Sequence, residues 1–243
     1  FWWRDKLHEK NARCFGKLVS LRLTAVCCFL VVRVSDHLFW AGDDNLEQQD
    51  MKQAFMASAV RVVARDGMEK ATTKAIAAEA KLNEAYIYKC FANKDELLSA
   101  AFLMEDVRFA NFLQKTLPVM HMPGLQWKDR AYILWKRSWE FILSVPADYT
   151  FYIRYYYSAS CRAHAYEMHL ACYKPLIEKV SKSFLLGTNM DMLIHQIFST
   201  MLFFASRVLN GELENSEATT QWAFEQIYSF VVPNEKAEVL EEL

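Results

Sequence analysis

The sequence predicts an all-α protein, and three observations carry that expectation. Only six glycines and five prolines occur in 243 residues, too few for the many tight turns of a sandwich or barrel. Apolar residues recur three to four positions apart over long stretches instead of alternating. Helix-capping residues stand at the starts of several of these stretches. With 53% hydrophobic and 14% aromatic residues, the chain can bury more than one small core.

Taken in order, residues 51–66 read as an amphipathic helix with Phe55, Ala59, Val60, Val62 and Val63 on its apolar side. Asp66-Gly67 closes it, because glycine adopts a left-handed C-terminal conformation at little cost. Thr72 or Thr73 then caps a short helix through Ala80. Lys81-Leu82-Asn83 forms a break, and Asn83 caps a third short helix over 84–91. Asn93-Lys94-Asp95-Glu96 reads as a capping box opening a long helix. Beyond Pro118 and Pro123-Gly124, helices are expected at 128–144, 148–184, 189–210 and 216–232, the second interrupted near Ser158–Ser160.

The first fifty residues stand apart. Residues 1–33 carry a net charge of +5, residues 34–50 carry −5, and the first methionine is Met51. An apolar run at 23–32 resembles a signal-peptide core but lacks a small-x-small cleavage site and is too short to span a bilayer. The expectation is an N-terminal extension without assigned function, read as translated upstream sequence with Met51 as the start. A membrane-associating arm and an ordered extra helix are the competing readings.

The overall net charge of −1 excludes a general polyanion binder, while residues 51–98 carry a mild +2. The six cysteines form no C-x-x-C and no paired spacing, so a disulfide framework or structural zinc site is not expected. No G-x-S-x-G, H-E-x-x-H or phosphate-loop pattern appears, so no enzyme is expected, and no cofactor.

Two short helices joined by a tight turn make a helix-turn-helix. Residues 67–98 contain Gly67, Thr72-Thr73, Ile76-Ala77, Ile87-Tyr88-x-x-Phe91 and Asn93-Lys94-Asp95-Glu96-Leu97-Leu98. This series resembles the N-terminal domain of the tetracycline-repressor (TetR) family almost position by position. The resemblance implies a three-helix DNA-binding domain at 51–98 and a helical-bundle ligand-binding and dimerisation domain at 99–243. It further implies a homodimer on a palindromic double-stranded DNA operator, released by a small-molecule effector in the cytoplasm.

Within the motif, Ile76, Ala77, Ala80, Leu82, Ile87 and Phe91 should form the core that sets the inter-helix angle. By the resemblance, Tyr88 and Lys94 contact phosphates, with Thr73 at a helix N-terminus as a third candidate. Base reading falls to Asn83, Glu84, Ala85, Tyr86 and Lys89 at the exposed start of the recognition helix. The sequence departs from the family pattern at four places. Lys81 stands where the turn usually has glycine, Ala85 replaces a common glycine, Tyr86 replaces a small residue, and Cys90 stands where an aromatic or histidine is usual.

The remainder resembles the family in arrangement only. Its aromatic density suggests an apolar ligand cavity, with Trp135, Trp139, Tyr152, Tyr155, Tyr156 and His164 as candidate ligand-binding residues. An ordinary aromatic core is the competing reading for each of them. Cys161, His164, Met168 and Cys172 fall on one helical stripe, but no second cluster completes a coordination sphere, so no metal is expected. The last two helices carry broad apolar faces, among them Phe204 and Trp222, and the family uses its last helix pair as the dimer interface. A membrane-tethered interaction module and a DNA binder without an effector are the alternatives.

Overall fold

The computed structural model describes residues 43–181 and 189–228, and every regular element among them is helical. The apolar run at 23–32 and the ends expected for the helices at 182–184 and 229–232 lie outside the described residues. Helix α1 spans Asp43–Asp66, so it begins eight residues before the start expected at Met51. Gly67 ends it at φ +90, donating its N–H to the Val63 carbonyl at 3.0 Å.

Helix α2, Thr73–Ala80, is capped by Thr72, whose hydroxyl accepts the Ala75 N–H at 3.1 Å. It closes with two reversed bonds, Leu82 N–H to Ala77 O at 3.0 Å and Lys81 N–H to Ala78 O at 3.1 Å. Lys81 takes φ 57 and ψ 34, so a residue with a Cβ sits in the left-handed region where the family places glycine. Lys81→Gly should therefore stabilise the fold by about 0.5–1 kcal/mol, the left-handed penalty less glycine's extra freedom in the unfolded chain. Thermal unfolding checks this; an unchanged or lower midpoint would refute strain at the turn.

A 3-10 turn, Glu84–Tyr86, leads into α3, Ile87–Cys90, and Asn83 caps the pair by accepting the Ala85 N–H at 2.9 Å. Asn93 caps α4, Lys94–Thr116, by accepting the Glu96 N–H at 2.8 Å. Glu96 returns a bond, but to the Ala92 N–H at 2.6 Å instead of the cap residue's own. Ile76, Ala77, Ile87 and Phe91 are buried with Phe55, Ala59 and Val63 of α1, while Ala80 and Leu82 are half-buried. The expected motif core forms.

A 3-10 turn, Leu117–His121, precedes α5, Trp127–Ser144; then come α6, Pro146–Tyr156, and α7, Ala159–His164. After them run α8, Tyr166–Ser181, α9, Met190–Leu209, and α10, Glu217–Tyr228. The chain breaks twice where one interruption was expected. Ser158 caps α7 by accepting the Cys161 N–H, and Ala165, at φ −128, separates α7 from α8.

Tryptophan N–H groups join α5 to the C-terminal segment: Trp135 donates to Thr220 O at 3.2 Å and Trp139 to Asn215 Oδ1 at 3.4 Å. Met192–Leu209 is long and apolar enough to cross a bilayer by length and composition alone. Its Leu202 and Ala205 are nonetheless fully buried against the rest of the protein, which accounts for the apolar character of that face.

Candidate DNA-reading face and effector cavity

The turn preceding α3 and α3 itself divide sharply by side. Ile87, Cys90 and Phe91 point into the core, whereas Tyr86, Tyr88 and Lys89 face outward, Tyr88 at 58% exposure. Lys89 Nζ lies 4.7 Å from the centre of the Tyr86 ring, a cation over a π face, so the two side chains form one surface. Asn83 and Ala85 are exposed beside them, and Lys94 is half-buried at the start of α4.

Two candidates are occupied differently from the expectation. The Thr73 hydroxyl donates to Glu84 Oε1 at 2.5 Å, and both residues are half-buried. Thr73 and Glu84 thus latch α2 to the turn before α3, instead of standing free for a phosphate and a base. The bond joins residues eleven apart, beyond what local capping rules reveal. Glu79 plays a similar part between α1 and α2. It meets Arg61 at 2.8 Å and Arg65 at 3.0 Å, and these guanidinium bonds, Arg61 first, hold its carboxyl below the usual range. Gln48, ahead of Met51, donates to the Lys89 carbonyl at 3.2 Å and so braces the end of α3.

The reader is tied to the rest of the protein by α6. Arg154 donates to the Val63 and Ala64 carbonyls at 2.6 and 3.0 Å, satisfying acceptors near the C-terminal end of α1. Ser160 donates to Asp95 Oδ1 at 2.7 Å. Neither contact was foreseen, since each joins segments at least 65 residues apart.

Beyond α6 lies a cavity of about 1160 Å³ between α4, α5, α8, α9 and α10. Its wall is mainly aromatic and aliphatic, with Phe109, Trp135, Tyr156 and Phe198 among its lining residues. Of the expected ligand-binding residues, Trp135 and Tyr156 line it. Trp139, Tyr152 and Tyr155 are 2%, 1% and 0% exposed and sit behind the wall as core. His164 is exposed and borders a separate small groove with Asn93, Ser99 and Met168.

The physical reason for the His164 correction is the break at Ala165, which shifts everything downstream around the helix axis. For the same reason the stripe of sulfur and imidazole side chains dissolves: Cys161 is buried, His164 and Met168 are exposed, and Cys172 lies between. Facing the cavity instead is His169. Sequence held a partial signal for its partner, because Asp106 interrupts the apolar stripe of Phe102 and Phe109 on α4.

The fold is thus a helix-turn-helix with Tyr88 and Lys89 on its outer face, set ahead of an all-helical part with an apolar cavity. Residues 55–101 match the family described as bacterial regulatory proteins, tetR family. The HTH-type nicotine-responsive transcriptional repressor HdnoR of Paenarthrobacter nicotinovorans is 48% identical over 52 residues, 21% of this chain. That match spans only about a quarter, 27%, of the relative's length. A TetR-family regulator from Marinobacter aquaeolei VT8 has a similar fold, with a TM-score of 0.62 at 18% identity, covering 78% of this chain and all of that one. A second from Shewanella sp. PV-4 gives 0.59 at 20% identity, covering 74% and 97%.

Proposed function

We propose that the protein is a cytoplasmic, ligand-responsive transcriptional repressor that binds a palindromic operator as a homodimer and is released by a small apolar or aromatic effector. The observation that carries this reading is the two-sided α3, whose buried side is locked to the motif core while Tyr86, Tyr88 and Lys89 present an outward face. A helix of this kind fits a major groove, with phosphate contacts fixing its register. The domain boundaries near residues 50 and 98 belong to the same reading. So does the assignment of Tyr88 and Lys94 to phosphates and of Asn83, Ala85, Tyr86 and Lys89 to bases.

The HdnoR match supports DNA reading and carries nothing about the effector, since it covers only a short part of either chain. The cavity supports an effector site by its size and its aromatic wall. Helix α6 supplies a route between the two, holding Tyr156 at the cavity and Arg154 on the end of α1. The dimer face falls to α9 and α10, where Phe203 and Trp222 are 50% and 53% exposed. Two-fold symmetry suits a reader too small to hold one half-site tightly.

The test is a salt titration on the operator, obtained by selection from random DNA, and on scrambled DNA. Lys94→Ala and Tyr88→Phe should weaken both by similar factors, because phosphate contacts carry no sequence information. Lys94→Ala should flatten log affinity against log salt by about 0.9 for each phosphate no longer neutralised, roughly double that for a symmetric dimer. Tyr86→Ala should instead change the preferred bases in each half-site, at about 1–3 kcal/mol for each base affected. A wild-type slope in Lys94→Ala, or equal losses on both DNAs in Tyr86→Ala, overturns this division of roles.

A further inference from the structure

One wall of the cavity carries a buried charge. Asp106 is fully buried, and three donors close on its carboxylate. Tyr152 Oη donates to Oδ1 at 2.6 Å and Tyr173 Oη at 3.1 Å, while His169 Nδ1 lies 3.0 Å from both oxygens. With both phenols donating to the carboxylate, the proton between His169 and Asp106 belongs on Nδ1. Nε2 is then the ring nitrogen left over. It has no hydrogen-bond partner among the described residues, and His169 lines the cavity.

No lysine or arginine among the described residues pairs with Asp106. Arg108, on the same helix, is engaged by Glu105 at 3.4 Å and Asp148 at 2.5 Å. Lys174 and Lys179 line the cavity but are exposed, as is Glu178. Asp106 and His169 together therefore present no excess positive charge to the cavity, whichever of them holds the proton between them. An anionic ligand would find no buried lysine or arginine there to meet it. The rings of Tyr156, Tyr166, Tyr173 and Phe198 stand 5.1–6.0 Å from the imidazole, and their π faces also favour a cation.

We propose that the Asp106–His169 pair is the anchor of the effector site and that the effector is a bulky lipophilic amine. Its ammonium N–H donates to His169 Nε2, and the aromatic wall holds its apolar body. This rests on the reading of the cavity as an effector site. The orientation follows from Asp106, which engages Nδ1 and so turns Nε2 to the ligand.

Three probes of one shape and different charge test it: 3,3-diphenylpropylamine, 3,3-diphenylpropan-1-ol and 3,3-diphenylpropanoate. Binding is read by calorimetry and by the fluorescence of Trp127 and Trp135, which line the cavity. The amine should bind tighter than the alcohol by roughly tenfold to a hundredfold, the range of a charge-assisted hydrogen bond, and the carboxylate should bind weakest. In His169→Phe and in Asp106→Asn the amine should lose far more affinity than the alcohol, closing the gap between them, while the alcohol still binds, which shows the cavity intact. Should Asp106→Asn not fold, His169→Phe carries the comparison.

The proposal is overturned if the alcohol or carboxylate binds as tightly as the amine, if none of the three binds, or if the folded variants keep the amine preference. Operator release is measured separately. An amine that binds without releasing the operator overturns the effector reading and leaves the anchor. A carboxylate that binds tightly and releases the operator overturns the anchor and leaves the regulator.

Discussion

Phe203→Asp combined with Trp222→Glu should convert the protein from dimer to monomer and reduce operator affinity by roughly a thousandfold or more, toward the non-specific level. Both side chains are half exposed on neighbouring helices, so charging them disturbs the chain's own packing less than charging a buried neighbour does. In a dimer across this face each would become an unpaired buried charge, which costs several kcal/mol per site. Phe204 is the wrong probe although it lies on the same apolar stretch. It is only 8% exposed and packs edge-on against Trp222 at 5.0 Å within one chain. Phe204→Asp should therefore unfold the C-terminal helices before it separates subunits. Sedimentation velocity and operator titration decide the matter; an unaltered dimer in the double variant would place the interface elsewhere.

Glu105→Gln should stabilise the protein at pH 8 by on the order of 2–3 kcal/mol and have little effect near pH 4. The Glu105 carboxyl is 3% exposed, and burial, followed by the nearby Asp148, pushes it up to about 7 against the partial relief of Arg108. In the unfolded chain it titrates near the ordinary glutamate value of about 4.3. Between these two values the folded state keeps a proton that the unfolded state has lost. The stability contributed by this raised group is thus fully present below the unfolded value and is lost as pH rises through the folded one. Glutamine cannot ionise, and the buried Tyr149 hydroxyl near this cluster has no hydrogen-bond partner among the described residues. Urea midpoints of both proteins from pH 4 to 8 should diverge with rising pH. Parallel curves would mean that Glu105 titrates alike in both states.

Much of the helix-turn-helix half was legible because its determinants are local. Thr72, Asn83 and Asn93 each cap a helix through a bond to a residue two or three positions ahead, a range in which residue type alone carries information. The Lys81 strain was equally visible, since φ at a helix end depends on the turn and not on distant neighbours. The periodicity of Ile76, Ala77, Ile87 and Phe91 marked the motif core for the same reason. Helix α1, expected from Met51, begins at Asp43.

What tertiary structure alone decided is the chemistry that bridges distant segments. Nothing local distinguishes His164 from His169; the break at Ala165 turns one outward and brings the other against Asp106, 63 residues away. The Thr73–Glu84 latch, the Arg154 grip on α1 and the inward turn of Phe204 beside an exposed Phe203 depend in the same way on which helices meet. Periodicity states that a helix has an apolar side, but burial of a particular carboxylate or imidazole is set by the neighbour packed on it. The sequence by itself determined the helices and the reading motif, and packing decided which polar groups reach the cavity.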